Sequence, residues 1–249
     1  MNAPGIGPNQ RGDALTLSNR LAALDWSRIA TDLDANGCAI LPGILSAEEC
    51  AAQSSLFAKQ EPFRSRVVMA RHGFGRGEYK YFAYPLPDLV AALRSVLYPP
   101  LAGIANRWNE AMGVEVRYPD DHAAFLDRCH RGGQIRPTPL LLQYGEGDYN
   151  CLHQDLYGEH IFPLQIAFLL SRPGVDFSGG EFVLTEQRPR MQSRAEVVSL
   201  GQGDGVIFAV HRRPVRGTRG YYRVNLRHGV SRLKSGHRHC LGIIFHDAK

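Results

Sequence analysis

The sequence predicts an α+β fold: a jelly-roll (double-stranded β-helix) core over residues 136–249, with the helices of residues 21–135 packed outside it. Three observations carry this expectation. Helix caps and i, i+4 apolar spacings crowd the first half. After Pro137 the texture changes to short apolar runs separated by Gly, Asp and Ser clusters, the pattern of many short strands. The 249 residues suffice for one domain with a full core and show no internal repeat.

Residues 1–20 are polar and Gly/Pro-rich, without the apolar stretch of a signal peptide, and read as a mobile leader before a single domain over 21–249. Asp25 can cap a helix running to about Ala35, with Gly37 as its stop. Residues 38–42 read as a short buried strand, and Ser46 with Glu49 as a capping box opening a helix to about Lys59. Residues 64–82, rich in Arg, Gly and aromatics, read as loop. A helix over 88–97 is expected to break at Pro99-Pro100 and to resume over 101–112, with Ile104, Trp108 and Met112 on one face. Another helix spans about 120–130 and stops at Gly132-Gly133. Strands follow at 140–144, 164–170, 181–185, 197–200, 205–210 and 241–245.

Composition narrows the class. Hydrophobic residues at 44% and charged residues at 21% are ordinary for a soluble globular protein, and no apolar run approaches the roughly 20 residues that span a bilayer. The five cysteines (Cys38, Cys50, Cys129, Cys151, Cys240) are odd in number and form no Cys-x-x-Cys pair. That disfavours a disulfide framework or a cysteine zinc knuckle and fits a reducing cytoplasm. A net charge of +5 permits a polyanionic partner without requiring one.

The chemistry-bearing constellation begins with His153-Gln-Asp155, just after a predicted strand. Residues i and i+2 of an extended chain face the same way, so this imidazole and carboxylate can reach one ion. Two histidines and one carboxylate on one side of an octahedron form the facial triad of non-haem iron(II) sites, with positions left open. Tyr144 lies nine residues before His153, where a strand, a glycine turn and a returning strand would bring it to the same cavity. Downstream, His228 precedes Arg238 by ten residues across a Ser235-Gly236 turn. Arg238 opens the last apolar strand, with the small Cys240 and Gly242 on its face. A fixed guanidinium there would take the distal carboxylate of a dicarboxylic cosubstrate. His211, ahead of Arg219 and Arg223, is the competing far histidine; His228 is preferred because an apolar strand must follow the arginine.

On these motifs, residues 137–249 resemble the 2-oxoglutarate/iron(II) oxygenase superfamily. The His-x-Asp, the far histidine and the Gly236-x-Arg238-x-x-Leu241 strand resemble prolyl 4-hydroxylases, and the Tyr144-x-x-Gly147 lead into His153-Gln-Asp155 resembles the AlkB nucleic-acid demethylases. Gly147-Asp-Tyr-Asn-Cys-Leu-His-Gln-Asp155, Gly179-Gly-Glu-Phe-Val-Leu-Thr-Glu186 and Arg227-His-Gly-Val-Ser231 are similar to a bacterial family of oxygenases acting on damaged nucleic acid. The resemblance implies iron(II) ligation by His153, Asp155 and His228, and 2-oxoglutarate held by Arg238 with help from Tyr144. It also implies O2-dependent hydroxylation of a C–H bond. The short far-motif spacing departs from AlkB, whose nucleotide-gripping lid finds no match.

Three functional readings follow: oxidative demethylation of alkylated bases in single-stranded or damaged nucleic acid, hydroxylation of a protein side chain or small metabolite, and a non-catalytic metal-binding sensor. The first is supported by the basic run Arg212, Arg213, Arg216, Arg219, Arg223, Arg227 and Arg232, interleaved with Tyr221 and Tyr222. Cations suit phosphates and aromatics stack bases, though a solvated basic face is equally compatible with this run. The loop around Phe74 to Tyr81 would serve as a lid over the base.

Overall fold

A computed structural model describes residues 17–249. Most of the expected leader lies outside them; its last four positions, 17–20, are helical, with Leu17 buried and Arg20 paired to Glu49. The helix Trp26–Asn36 starts on the Asp25 side chain, which accepts from Arg28 N, and ends at Gly37 with φ 77°. The capping box of Ser46 and Glu49 opens the helix Ala47–Ser55. Asp121 caps the helix His122–Arg131.

Two expectations fail in the first half. The helix Asp88–Ala111 runs without a break through Pro99 and Pro100. Each proline removes a donor, but Leu97, Tyr98, Leu101 and Ala102 on either side are fully buried, and that packing outweighs the lost bonds. Its length and composition would allow a membrane span, yet half of its apolar window is buried inside the fold, as in a core helix. Residues 64–82, read as loop, instead form most of one strand (Phe63–Val68) and two more (Gly75–Arg76 and Glu78–Phe82). Their cations lie over rings, Arg64 on Tyr81 at 4.6 Å and Lys80 on Phe57 at 4.9 Å, so a polar composition still packs as sheet.

The strands are β1 (Cys38–Leu41), β2 (Phe63–Val68), β3 (Gly75–Arg76), β4 (Glu78–Phe82) and β5 (Leu140–Tyr144). Then come β6 (Tyr149–His153), β7 (Leu164–Leu169), β8 (Phe177–Gly179), β9 (Phe182–Gln187) and β10 (Ser193–Val198). The last are β11 (Gly205–Ala209), β12 (Arg212–Gly217), β13 (Gly220–Val230), β14 (Leu233–Gly236) and β15 (Arg238–Ile243). A large sheet has the order β1-β11-β7-β15-β5-β4-β2, and a small one the order β10-β9-β13-β6-β3, with β12 paired to β13.

These sheets overturn the expected jelly roll. They face each other but share no strand, and each keeps two ends, β1 and β2 on one, β10 and β3 on the other. The core is therefore a pair of open antiparallel sheets, not a closed double-stranded β-helix. Three strands from the half expected to be helical (β1, β2 and β4) lengthen the large sheet at both margins, beyond anything the small sheet pairs with. The fold remains α+β, with helices outside.

Strand β7, inside the large sheet between β11 and β15, is buried at every residue, because both its faces are covered. On the outer side Arg94 of the long helix reaches Ile244 O at 2.9 Å. On the inner side lies the cavity between the sheets.

Candidate metal centre and cosubstrate pocket

Strands β6 and β13 pair antiparallel with His153 directly opposite His228, which brings their ring centroids to 4.2 Å. Directly opposed residues point to the same face. Two residues past His153, Asp155 turns back between them: His153 Nε2 lies 3.4 Å from Oδ1, and His228 Nε2 lies 3.4 Å from Oδ2. The candidate ligand atoms of all three fall within 4.8 Å of one another. Neighbouring ligands of one ion with bonds of about 2.1 Å stand at comparable spacing. Gly229 lets β13 approach so closely, since a Cβ there would meet Asn150 O at 2.7 Å.

The surroundings set the ligands' states. His153 Nδ1 faces Cys151 O at 2.8 Å, which makes it a donor and turns Nε2 to Asp155. Burial lowers the pKa of this imidazole, but the Asp155 hydrogen bond and charge, acting where a metal ion would sit, outweigh burial and raise it. Burial pushes His228 toward its neutral form, and its ring sits 4.5 Å from that of Phe208. Burial alone would raise the Asp155 carboxyl, but the imidazoles of His153 and His228 outweigh it and hold Asp155 well below the ordinary carboxylate range. A neutral imidazole and an ionised carboxylate are the forms that bind a divalent ion. Tyr157 OH donates to Asp155 Oδ1 at 2.8 Å; burial first, and then the Asp155 charge, raise its phenol so that it stays a donor.

Across the cavity, β15 and β5 pair Arg238 with Tyr144. The guanidinium carbon lies 5.7 Å from the tyrosine ring centroid, and Arg238 is only 2% exposed. No carboxylate among the described residues pairs with it. Its Nε and Nη1, and the Tyr144 hydroxyl, are buried without a hydrogen-bond partner. A buried, unpaired cation costs several kcal/mol, on the order of 3–5 when a partner is removed. Such donors fit an external carboxylate, and with the open triad they fit a chelating dicarboxylate.

The cavity between triad and arginine measures about 230 Å³. As period-2 reading implies, Cys240 and Gly242 line it beside Arg238. Its other walls include Phe74, Tyr79, Tyr81 and Tyr157, the amides Asn150, Gln154 and Gln165, and aliphatic side chains such as Leu142 and Ile166. The Gln165 side-chain nitrogen is buried and unpartnered.

The five candidate site residues thus surround one cavity, and His228 rather than His211 completes the cluster. Tyr144 arrives by a different route from the one expected. Strands β5 and β6 belong to opposite sheets, so the glycine turn carries the chain across the cavity and does not fold a hairpin. His211 lies at the start of β12, where its carbonyl accepts from Leu226 N. Sequence reading missed Tyr157, whose signal was its i+2 spacing from Asp155, and Gln165, which is hidden within an apolar run. It also misplaced Arg213, which is 1% exposed and bonded to Glu186 and to the carbonyls of Asp34 and Ala35.

Comparison with known proteins agrees with this geometry. The fold is similar to a 2-oxoglutarate/iron(II) oxygenase-family oxidoreductase from Burkholderia pseudomallei, with TM-score 0.53 and 16% identity, covering 91% of this chain and 94% of that one. It is also similar to a Pseudomonas putida prolyl-4-hydroxylase, with TM-score 0.51 and 13% identity, covering 90% and 99%. In sequence, the uncharacterized protein Rv2227 of Mycobacterium tuberculosis is 48% identical over 167 residues, which are 67% of this chain and 72% of that protein. Residues 77–248 match the family model described as "Oxygenase, catalysing oxidative methylation of damaged DNA". With more than half of its length matched and the triad assembled, the chain belongs to this family of the 2-oxoglutarate/iron(II)-dependent oxygenases.

Proposed function

We propose that His153, Asp155 and His228 hold the iron(II), that Arg238 and Tyr144 take the distal carboxylate of 2-oxoglutarate, and that the substrate is an N-alkylated base in nucleic acid. When bound, iron, 2-oxoglutarate and O2 together supply the oxygen atom that hydroxylates a C–H bond. On an N-methyl group the product loses formaldehyde and leaves the free base nitrogen.

The chain's own residues orient and exclude. Tyr157 holds the Asp155 carboxylate between the two imidazoles by donating to Oδ1. Arg238 and Tyr144 anchor the cosubstrate at one end of the cavity. Tyr79, Tyr81, Tyr157 and Phe74 offer flat walls for a planar base in the same cavity, where Asn150, Gln154 and Gln165 can read its polar edge. Phe74 is 48% exposed and stands at the mouth, in the place expected of a lid.

The observation that carries this reading is the cavity itself: aromatic walls and amide groups beside an iron-type triad, in a chain whose family is described by damaged DNA. The test is succinate formation from 2-oxoglutarate with iron(II), in the presence of a single-stranded oligonucleotide bearing 1-methyladenine. Turnover coupled to a loss of 14 mass units is expected, about the mass of one CH2 group. Coupled turnover with a peptidyl-proline substrate, and none with the methylated strand, would replace this reading with protein hydroxylation.

A further inference from the structure

The arginine run does not line the cavity. In the β12–β13 hairpin Arg212 pairs with Asn225, Pro214 with Arg223 and Arg216 with Tyr221. Buried Val224, Leu226 and His228 point inward, so alternation turns Tyr221, Arg223, Asn225 and Arg227 to the reverse face of the small sheet. Arg212, Arg216, Arg223 and Arg227 are all exposed. None has a carboxylate within ion-pair distance among the described residues; Arg223 gives one bond, to Met112 O. The neighbours on β9 are neutral, since Arg227 pairs with Thr185 and Asn225 with Gln187. The one acid on β9 that lies near, Glu186, is buried and already held by Arg213 and Arg188.

Four like charges on adjacent strands repel one another, and no ion pair among the described residues offsets them. Their spacing along a flat polar face suits a polyanion, not a single small anion. The face also leads to the cavity. The small sheet ends at β6 and β3, where exposed Phe74 lines the cavity, Leu152 is exposed on the reverse face, and Arg76, 4.0 Å from Asp148, remains largely exposed at the edge. From β13 to that edge is two strand spacings, roughly 10 Å.

We propose that the outer face of the small sheet, centred on Arg212, Arg216, Arg223 and Arg227, binds the phosphate backbone of the strand flanking the base in the cavity. The strand rounds the β6–β3 edge past Arg76. This rests on the nucleic-acid reading above and adds to it a second contact surface, on the far side of the sheet from the metal.

The test is fluorescence anisotropy with labelled, unmodified oligo-dT of five and of twenty nucleotides, using the full chain. Arg216→Gln/Arg223→Gln/Arg227→Gln is compared with wild type and with Arg28→Gln/Arg117→Gln/Arg131→Gln, which removes equal charge from the helical side. Matched thermal midpoints establish that both variants fold. The first variant should bind the 20-mer at least tenfold more weakly, with a salt slope smaller by about 2 (three cations at about 0.7 each for single strands). Its 5-mer affinity and the control variant should stay near wild type. Equal weakening in the control, or wild-type affinity in the first variant, overturns the surface. If the wild type binds neither length even at low salt, the nucleic-acid reading itself falls, and the surface with it.

Discussion

Tyr157 OH donates to Asp155 Oδ1 at 2.8 Å, while Asp155 Oδ2 faces His228 Nε2 at 3.4 Å. Oδ1 also faces His153 Nε2 at 3.4 Å, so each oxygen meets one ligand histidine and Tyr157 ties the carboxylate to the protein through Oδ1. Such a restraint fixes the orientation in which Asp155 would meet a metal ion.

Tyr157→Phe removes the restraint and keeps the ring. Anaerobic iron(II) titration should show affinity about tenfold weaker, the lower end of what outer partners of metal ligands contribute. Unchanged affinity would mean that Asp155 is oriented by its backbone alone.

Arg238→Met should abolish the thermal protection given by 2-oxoglutarate. Without cosubstrate the variant should be more stable than wild type, by about 1–3 kcal/mol, because it removes buried donors that lack partners. Chemical denaturation with and without 2-oxoglutarate reads both. A less stable variant would point to a protein partner for Arg238.

Arg213→Ala should destabilise the fold by about 3–5 kcal/mol, since it strips Glu186 of its buried partner. It also frees the carbonyls of Asp34 and Ala35 at a helix end. The urea midpoint checks this. A loss of oligonucleotide binding at intact stability would contradict it.

Stability should fall in mild acid. Burial, with Arg94 adding to it, lowers both His122 and His246 from 6.5 to about 4. Between these values the unfolded chain takes up protons that the fold refuses, so the stabilisation is complete above pH 6.5 and is lost progressively toward pH 4. Thermal midpoints across this window should decline, and less steeply in His122→Phe. A flat profile would contradict burial as the cause.

The site was more legible in the sequence than the fold around it. His153-Gln-Asp155, His228 and Arg238 could be read because each chemical task demands one residue type at a fixed spacing. Sheet closure could not be read, because alternation marks a strand's two faces but not its neighbours across the sheet. The strands of residues 63–82 were hidden because Arg64 and Lys80 pack their stems over aromatic rings, which a composition-based reading takes for loop. Arg213 was grouped with exposed arginines because only the hairpin register separates it from Arg212 and Arg216. The prolines of the long helix misled for the opposite reason, a local rule overridden by burial on both sides.

The most direct measurement is anaerobic iron(II) titration in the presence of 2-oxoglutarate, followed by the visible charge-transfer absorption of the chelated complex, for wild type, His228→Ala and His211→Ala. The expected result is a saturable band in wild type and in His211→Ala, and none in His228→Ala. A band that survives loss of His228 and disappears with His211 would contradict the metal centre described above.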